Sequence, residues 1–292
     1  MHRYFIRRIG VILSHDVIDF HVHVGDVRRL RGDIQRLLMR QKGDRDFDLE
    51  RLFSNPRELV QYLRREGVDK AVILAEDGPG TNHHITTGYV CDFRDAAGAD
   101  GDMLVAFGCM NPKRTPDILG QYEADLKRGV AGYKLYPADH DFDPITGTLM
   151  HFYARLERDG LVLMFHTGST AQDDGVDAYG NPDIFRPILE AFPRLTVVMA
   201  HAGKPLYCAE AERCALEFEN CYLDTAFIPA SKLLFYQPNL EQISHKVLFG
   251  SDWPAGVHSL SGHLADFDHV GISSAARERI LSANARKVLR LN

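Results

Sequence analysis

Short apolar, β-branched runs recur along the 292-residue chain, each followed by a longer stretch with helical spacing. The runs are Val17–Phe20, Val68–Leu74, Met103–Phe107, Val130–Leu135, Leu161–Phe165, Leu195–Ala200, Cys221–Leu223 and Lys246–Phe249. Helical spacing follows near Asn55–Glu66, Asn82–Ala97, Thr115–Lys127, Gly147–Arg158, Asp183–Ala191, Pro205–Glu219, Ala230–Ile243 and Ser274–Leu291. Strands apolar on both faces, alternating with helices eight times, predict an α/β chain folded as a single parallel (β/α)8 TIM-like barrel over residues 1–292. An open doubly wound sheet is disfavoured, because the first strand–helix junction, Phe20 to Gly25, lacks a G-x-G-x-x-G phosphate loop.

The segment 24–53 exceeds the about 2–6 residues of an ordinary strand–helix connection, so it reads as an insertion over the barrel mouth. Arg28, Arg29, Arg31, Arg36, Arg40 and Lys42 within it could attract an anionic substrate, but Leu30, Ile34, Leu37 and Leu38 fall at helical spacing, and the favoured reading is the solvated face of an amphipathic helix. Thr167 to Pro182, with Asp173, Asp174 and Asp177, is a second candidate lid. The loop from Ala255 to Asp268 is a third variable segment.

A composition of 45% hydrophobic and 25% charged residues suits a globular chain, and a net charge of −6 gives no footprint for nucleic acid. The apolar run Ile9–Leu13 is too short for a signal peptide core, and no stretch reaches the roughly 20 residues that span a membrane. Five cysteines without a C-x-x-C pair, and the absence of an N-x-[ST] sequon, point to a reducing cytoplasm. The expected partner is a small-molecule substrate; a homo-oligomer is compatible with the sequence.

In such a barrel the chemistry sits at the carboxyl ends of the strands. Strand one ends in His21 and His23, whose period-two spacing puts both rings on one side. Strand four ends in Lys134 and Tyr136, strand five in His166, strand six in His201 and strand eight in Asp252 and Trp253. Four histidines, a lysine and an aspartate crowd one rim, and neutral imidazoles with a carboxylate suit a catalytic Zn²⁺ or a related divalent ion such as Mn²⁺. Tyr136, His140 and Trp253 are candidate substrate contacts, and Asp224, ending strand seven, is a candidate partner for a ligating histidine. His83 and His84 face different ways; His258, His263 and His269 are read as solvent-facing, with His258 or His263 a candidate lid residue. Arg28, Arg29, Arg94, Arg114 and Arg186 are weak candidates for a substrate carboxylate.

The elements DFHVH (19–23), GYKLYP (132–137), FHTG (165–168), AHAGKP (200–205), CYLDT (221–225), LFGSDWP (248–254) and LSANARKVLRL (281–291) together resemble the amidohydrolase superfamily, and within it the amidohydrolase-2 branch of metal-dependent hydrolases and decarboxylases. The resemblance implies a distorted barrel with the metal at its mouth, ligated by His21, His23, His166 and Asp252, with His201 touching the water or substrate. One ion is favoured, with Lys134 an unmodified catalytic cation; the alternative is a carbamylated Lys134 bridging two ions, with His166 and His201 on the second. The activity this implies is attack of activated water on an amide, ester or lactone, with Asp252 moving the proton and His201 facing the oxyanion. Non-oxidative decarboxylation of an aromatic or unsaturated acid is the alternative, and a barrel that binds metal without turnover is the third.

Overall fold

The computed structural model describes residues 16–30, 32, 35–36, 38, 48–78, 84–170, 175–257 and 259–291. Eight parallel strands pair in chain order: β1 Ile18–His23, β2 Lys70–Leu74, β3 Leu104–Gly108, β4 Gly132–Leu135, β5 Val162–His166, β6 Val197–Ala200, β7 Cys221–Asp224 and β8 Val247–Leu248. The sheet closes on itself where Phe20 N–H donates to Phe249 O at 2.7 Å and His23 N–H to Trp253 O at 2.8 Å. The result is a nearly closed (β/α)8 barrel, the architecture that the alternating pattern predicts.

Two cores divide the strand residues by parity. One consists almost wholly of strand residues, Ile18, Phe20, Val72, Leu74, Phe107, Val162, Met164, Val198, Ala200, Tyr222 and Leu248, with Ala285 and Val288 of the last helix. This is the barrel interior, and the C-terminal segment packs against it. The other takes the alternate residues, such as Ala71, Ile73, Leu135, Phe165, Met199 and Leu223, against the surrounding helices. Burial on both faces is why these strands read as continuous apolar runs.

Simple alternation fails at one place, and the site depends on it. Ile18 and Phe20 point inward, so an unbroken β1 would turn His21 and His23 outward. The ladder pairs Asp19 with Ala71 and then Val22 with Ile73, so two residues of β1 oppose one of β2. This bulge reverses the parity: Val22 joins the outer core and His21 and His23 turn into the barrel mouth.

Several boundaries differ from expectation. β1 runs on to His23, while β8 keeps only two residues because Phe249 N–H leaves the ladder to donate to Ile280 O at 2.9 Å. The helix expected over Ala230–Ile243 is broken into Ala230–Lys232, Leu233–Tyr236 and Leu240–Ile243, and Pro238 lies in the gap. The final helix contains a wide turn over Arg279–Ala283. The expected loop after β8 holds a helix, Leu260–Phe267, whose buried Leu260, His263, Leu264 and Phe267 share one face. His263 is therefore no lid residue: it packs against Phe249 and Phe267 in the outer core. Ile34, Leu37, Arg31, Arg40, Lys42, His83, Asp173, Asp174 and His258 lie outside the described residues. Among the described residues no helix is long and apolar enough to cross a membrane.

The C-terminal motif has a structural role. Buried Asn284 donates from Nδ2 to Ser244 O and Val247 O, both at 2.7 Å, which fixes the last helix to the start of β8. Asn284→Ala strands two buried carbonyls and is expected to cost about 2 kcal/mol or more. Thermal unfolding would show it as a drop of about 4 °C or more; an unchanged midpoint would refute that role.

Candidate functional site

Inward parity continued past the strand ends brings Glu76 from β2, Lys134 and Tyr136 from β4, His166 from β5 and Asp224 from β7 to the mouth, where Asp252 joins them from the turn after β8; His201 follows the inward Ala200 directly and reaches the mouth off parity, through a left-handed backbone. Gly250 is required for this convergence, because a Cβ there would sit 2.9 Å from that of His21.

His21, His201 and Asp252 each offer a ligand atom within 4.8 Å of the other two. His21 is fully buried, and its Nδ1 lies 2.7 Å from Asp224 Oδ2. A proton on Nδ1 donated to that carboxylate leaves the Nε2 lone pair facing Asp252 Oδ1 at 3.4 Å. His23 Nε2 approaches the same oxygen at 3.1 Å. These spacings suit a shared cation, because two ligands about 2.1 Å from a tetrahedral ion lie about 3.4 Å apart. His201 donates from Nδ1 to Ala226 O at 3.2 Å, which likewise frees its Nε2. The donor set therefore fits a divalent metal.

Asp224 anchors two of these groups. Besides His21 it accepts the backbone N–H of His201 at 2.6 Å and of Ala226 at 3.1 Å. His201 and Asp252 both sit in the left-handed region, at φ 63° and 58°. Non-glycine residues there cost on the order of 1 kcal/mol each and persist where the surroundings over-determine them. For His201 the constraint is Asp224; for Asp252 it is its N–H donating to His21 O at 2.9 Å.

The electrostatics follow from burial. Burial pushes the imidazoles of His21 and His201 well below the ordinary histidine range, reinforced by the neighbouring histidines and Lys134. Burial raises Asp252, but His21, His23 and His201 overcome this and hold it well below the usual carboxylate range. Lys134 is buried and its pKa is lowered by desolvation, against the pull of Asp224, Asp252, Glu76 and Asp139. Its Nζ lies 3.4 Å from His21 Nε2 and 5.0 Å above the centre of the Tyr136 ring. Asp19 ties β1 to the turn after β8 by accepting from His21 N and Ser251 N, and burial pushes it up to about 7.

His166 stands beside the three-residue cluster rather than in it. Its ring centre is 4.8 Å from that of His201, its Nε2 donates to Ser169 O at 3.2 Å, and its Nδ1 is 3.7 Å from Asp139 Oδ2. Tyr136 lines the cavity and donates its hydroxyl to Ala75 O at 3.0 Å. Two expected substrate contacts are elsewhere. Trp253 is fully buried against Phe53 and Tyr62 and is absent from the cavity wall. His140 is buried behind Tyr136, with ring centres 5.2 Å apart, and is absent from the cavity wall.

None of the arginine candidates with a described side chain lines the cavity. Arg28 pairs with Asp26, Arg94 bonds the carbonyls of Arg128 and Gly129, Arg114 lies beside Asp77 and His84, and Arg186 pairs with Glu217. Glu76 and Asp139 are site residues that the sequence reading passed over. Glu76 lies two residues past β2, where inward parity puts it at the mouth, 4.0 Å from His23 Nδ1. The same strand-end rule, applied to strand two, would have found it. Asp139 lies on the turn Pro137–His140, bonded to the Thr170 hydroxyl, and no periodicity marks it.

The fold has solved counterparts. An uncharacterised TIM-barrel protein from Bordetella bronchiseptica is similar at a TM-score of 0.77 and 22% identity, over 94% of this chain and 98% of that one. A probable 2-pyrone-4,6-dicarboxylic acid hydrolase from Acinetobacter baumannii, with citric acid bound, is similar at 0.65 and 14%, over 94% and 100%. A 2,6-dihydroxybenzoate decarboxylase from Rhizobium is similar at 0.66 and 14%, over 95% and 99%. No curated protein matches the sequence significantly. The amidohydrolase family model matches residues 18–291, nearly the whole length over which the strand-end motifs were read, and the chain belongs to this family.

Proposed function

We propose that the protein is a metal-dependent hydrolase acting on an amide, ester or lactone of a small molecule. The observation that carries this reading is the convergence of His21 Nε2, His23 Nε2 and Asp252 Oδ1, with Asp224 holding the His21 proton on the far nitrogen. His21, His23, His201 and Asp252 would hold one divalent ion, zinc being the expected one. Bound there, it would polarise a carbonyl and lower the pKa of a water.

The chain's own groups do the rest. Asp252 is held ionised, so it accepts the water proton and returns it to the leaving group. Lys134 and His166 both line the cavity, and the Lys134 amine is the donor that would stabilise charge developing on a substrate oxygen. His201, within ligand reach, becomes a holder of the ion more than an oxyanion donor. Decarboxylation is the second reading, and the observation that favours it is the Lys134 amine beside the cluster, a partner for a substrate carboxylate. A lysine carbamate bridging two ions would instead give two metal equivalents.

Three variants and one assay test this. Purified enzyme offered esters, lactones and aromatic acids should release acid without carbon dioxide; carbon dioxide as the main product would overturn the hydrolase reading. His21→Ala combined with His23→Ala should abolish metal binding and turnover while the circular dichroism stays that of a folded barrel, and retained turnover would sink the mechanism. Between the remaining histidines, His201→Ala should weaken metal affinity by about tenfold or more. His166→Ala should keep the metal and lose turnover. Equilibrium dialysis showing the reverse order would return His166 to the ligand set.

A further inference from the structure

Lys204 arches from His201 to Phe227 at the rim of the cavity. Its backbone N–H donates to His201 O at 2.9 Å, and its Nζ donates to Phe227 O at 2.7 Å. His201 Nδ1 donates in turn to Ala226 O, the carbonyl next to that one. The amine therefore sits one peptide away from the carbonyl that orients a member of the metal cluster. It also stands over the Phe227 ring, 4.5 Å from its centre, and Phe227 lines the cavity.

The Lys204 charge is half-buried, and among the described residues no carboxylate pairs with it. A carbonyl dipole and an aromatic face attract an ammonium without neutralising it. One N–H on Phe227 O leaves two of the three donors for a ligand. Burial lowers the pKa of the amine, partly offset by the charge of Asp252, so the site's own carboxylate is within electrostatic reach. In a ring of eight strands paired in order, β6 lies across from β2, which sets Lys204, after β6, on the side of the mouth away from Glu76, after β2. The other acidic group of the wall, Asp139 after β4, is engaged by the Thr170 hydroxyl.

We propose that Lys204 is a specificity-determining residue that binds a non-reacting carboxylate of the substrate at the rim beside Phe227. The proposal rests on the hydrolase reading, and the substrate is then an ester, lactone or amide bearing a carboxylate away from the bond that breaks. A lysine suits this task, because its ammonium is a compact charge with rotatable donors that meets a carboxylate without a planar two-point fit. Bonds of the N⁺–H···O⁻ type are roughly twice as strong as neutral ones, so a carboxylate there is preferred to an uncharged amide of the same shape.

Dicarboxylates and their half-amides test it: succinate, glutarate and adipate against succinamate, glutaramate and adipamate. Each pair shares a chain and one carboxylate for the metal end and differs in the second group alone. Titration calorimetry on the full chain should show, for at least one chain length, the dicarboxylate binding about tenfold more tightly than its half-amide, the fold-change of about 1.4 kcal/mol. Lys204→Gln keeps a donor for the Phe227 carbonyl but removes the charge, and it should erase that preference, whereas Lys204→Arg should retain it. Circular dichroism checks that each variant is folded. Equal binding within every pair by the unmodified protein, or a preference that survives Lys204→Gln, would overturn the proposal. Metal content is measured on the same samples: protein that takes up no metal yet shows the Lys204-dependent preference contradicts the hydrolase reading and supports the carboxylate site, and metal-loaded, hydrolytic protein without the preference does the opposite.

Discussion

A buried carboxylate, Asp224, holds the site together. It accepts the His21 imidazole on one oxygen and the backbone N–H groups of His201 and Ala226 on the other, so one side chain fixes a tautomer, a ring orientation and a strained turn. Burial raises its pKa, against the pull of His201, Lys134 and the two N–H groups. A carboxylate in that position is stabilised by the bonds it accepts, and the one from His21 Nδ1 leaves that ring's Nε2 free toward the barrel axis. Without it, His21 has no reason to hold its proton on the nitrogen facing away from Asp252.

Around that anchor the barrel rim is laced across strands rather than along them. Thr167 Oγ1 donates to Ala200 O and accepts Gly203 N–H, joining β5 to the turn after β6. Thr225 does the same with Gly250 across β7 and β8. Asp19 reaches from β1 to Ser251. These bonds satisfy backbone groups exactly where the strands stop pairing, and they allow His201 and Asp252 to keep backbone conformations that open chain would abandon.

The sequence exposed this fold because each strand is buried on both faces and each helix on one, so the two periodicities alternate without interruption. It exposed the polar rim for the same reason: an inward residue beyond the last apolar position has nowhere to point but the mouth. What it hid is what parity and composition do not determine. The β1 bulge carries no sequence mark, yet it decides which way His21 and His23 face. Trp253 adjoins Asp252 in the chain yet packs away from the cavity, against Phe53 and Tyr62. His140 was drawn in by its place after strand four, and Tyr136 covers it. That His201 forms the close trio with His21 and Asp252, with His23 and His166 beside it, is not something a spacing rule foresees.

The account stands on a single divalent ion held by imidazoles and Asp252, and elemental analysis of protein purified without chelator, with native mass on the same sample, tests that most directly. One equivalent of zinc or manganese per chain, at the mass of the unmodified polypeptide plus one ion, is the predicted result. Protein that takes up no divalent metal even after reconstitution would contradict it.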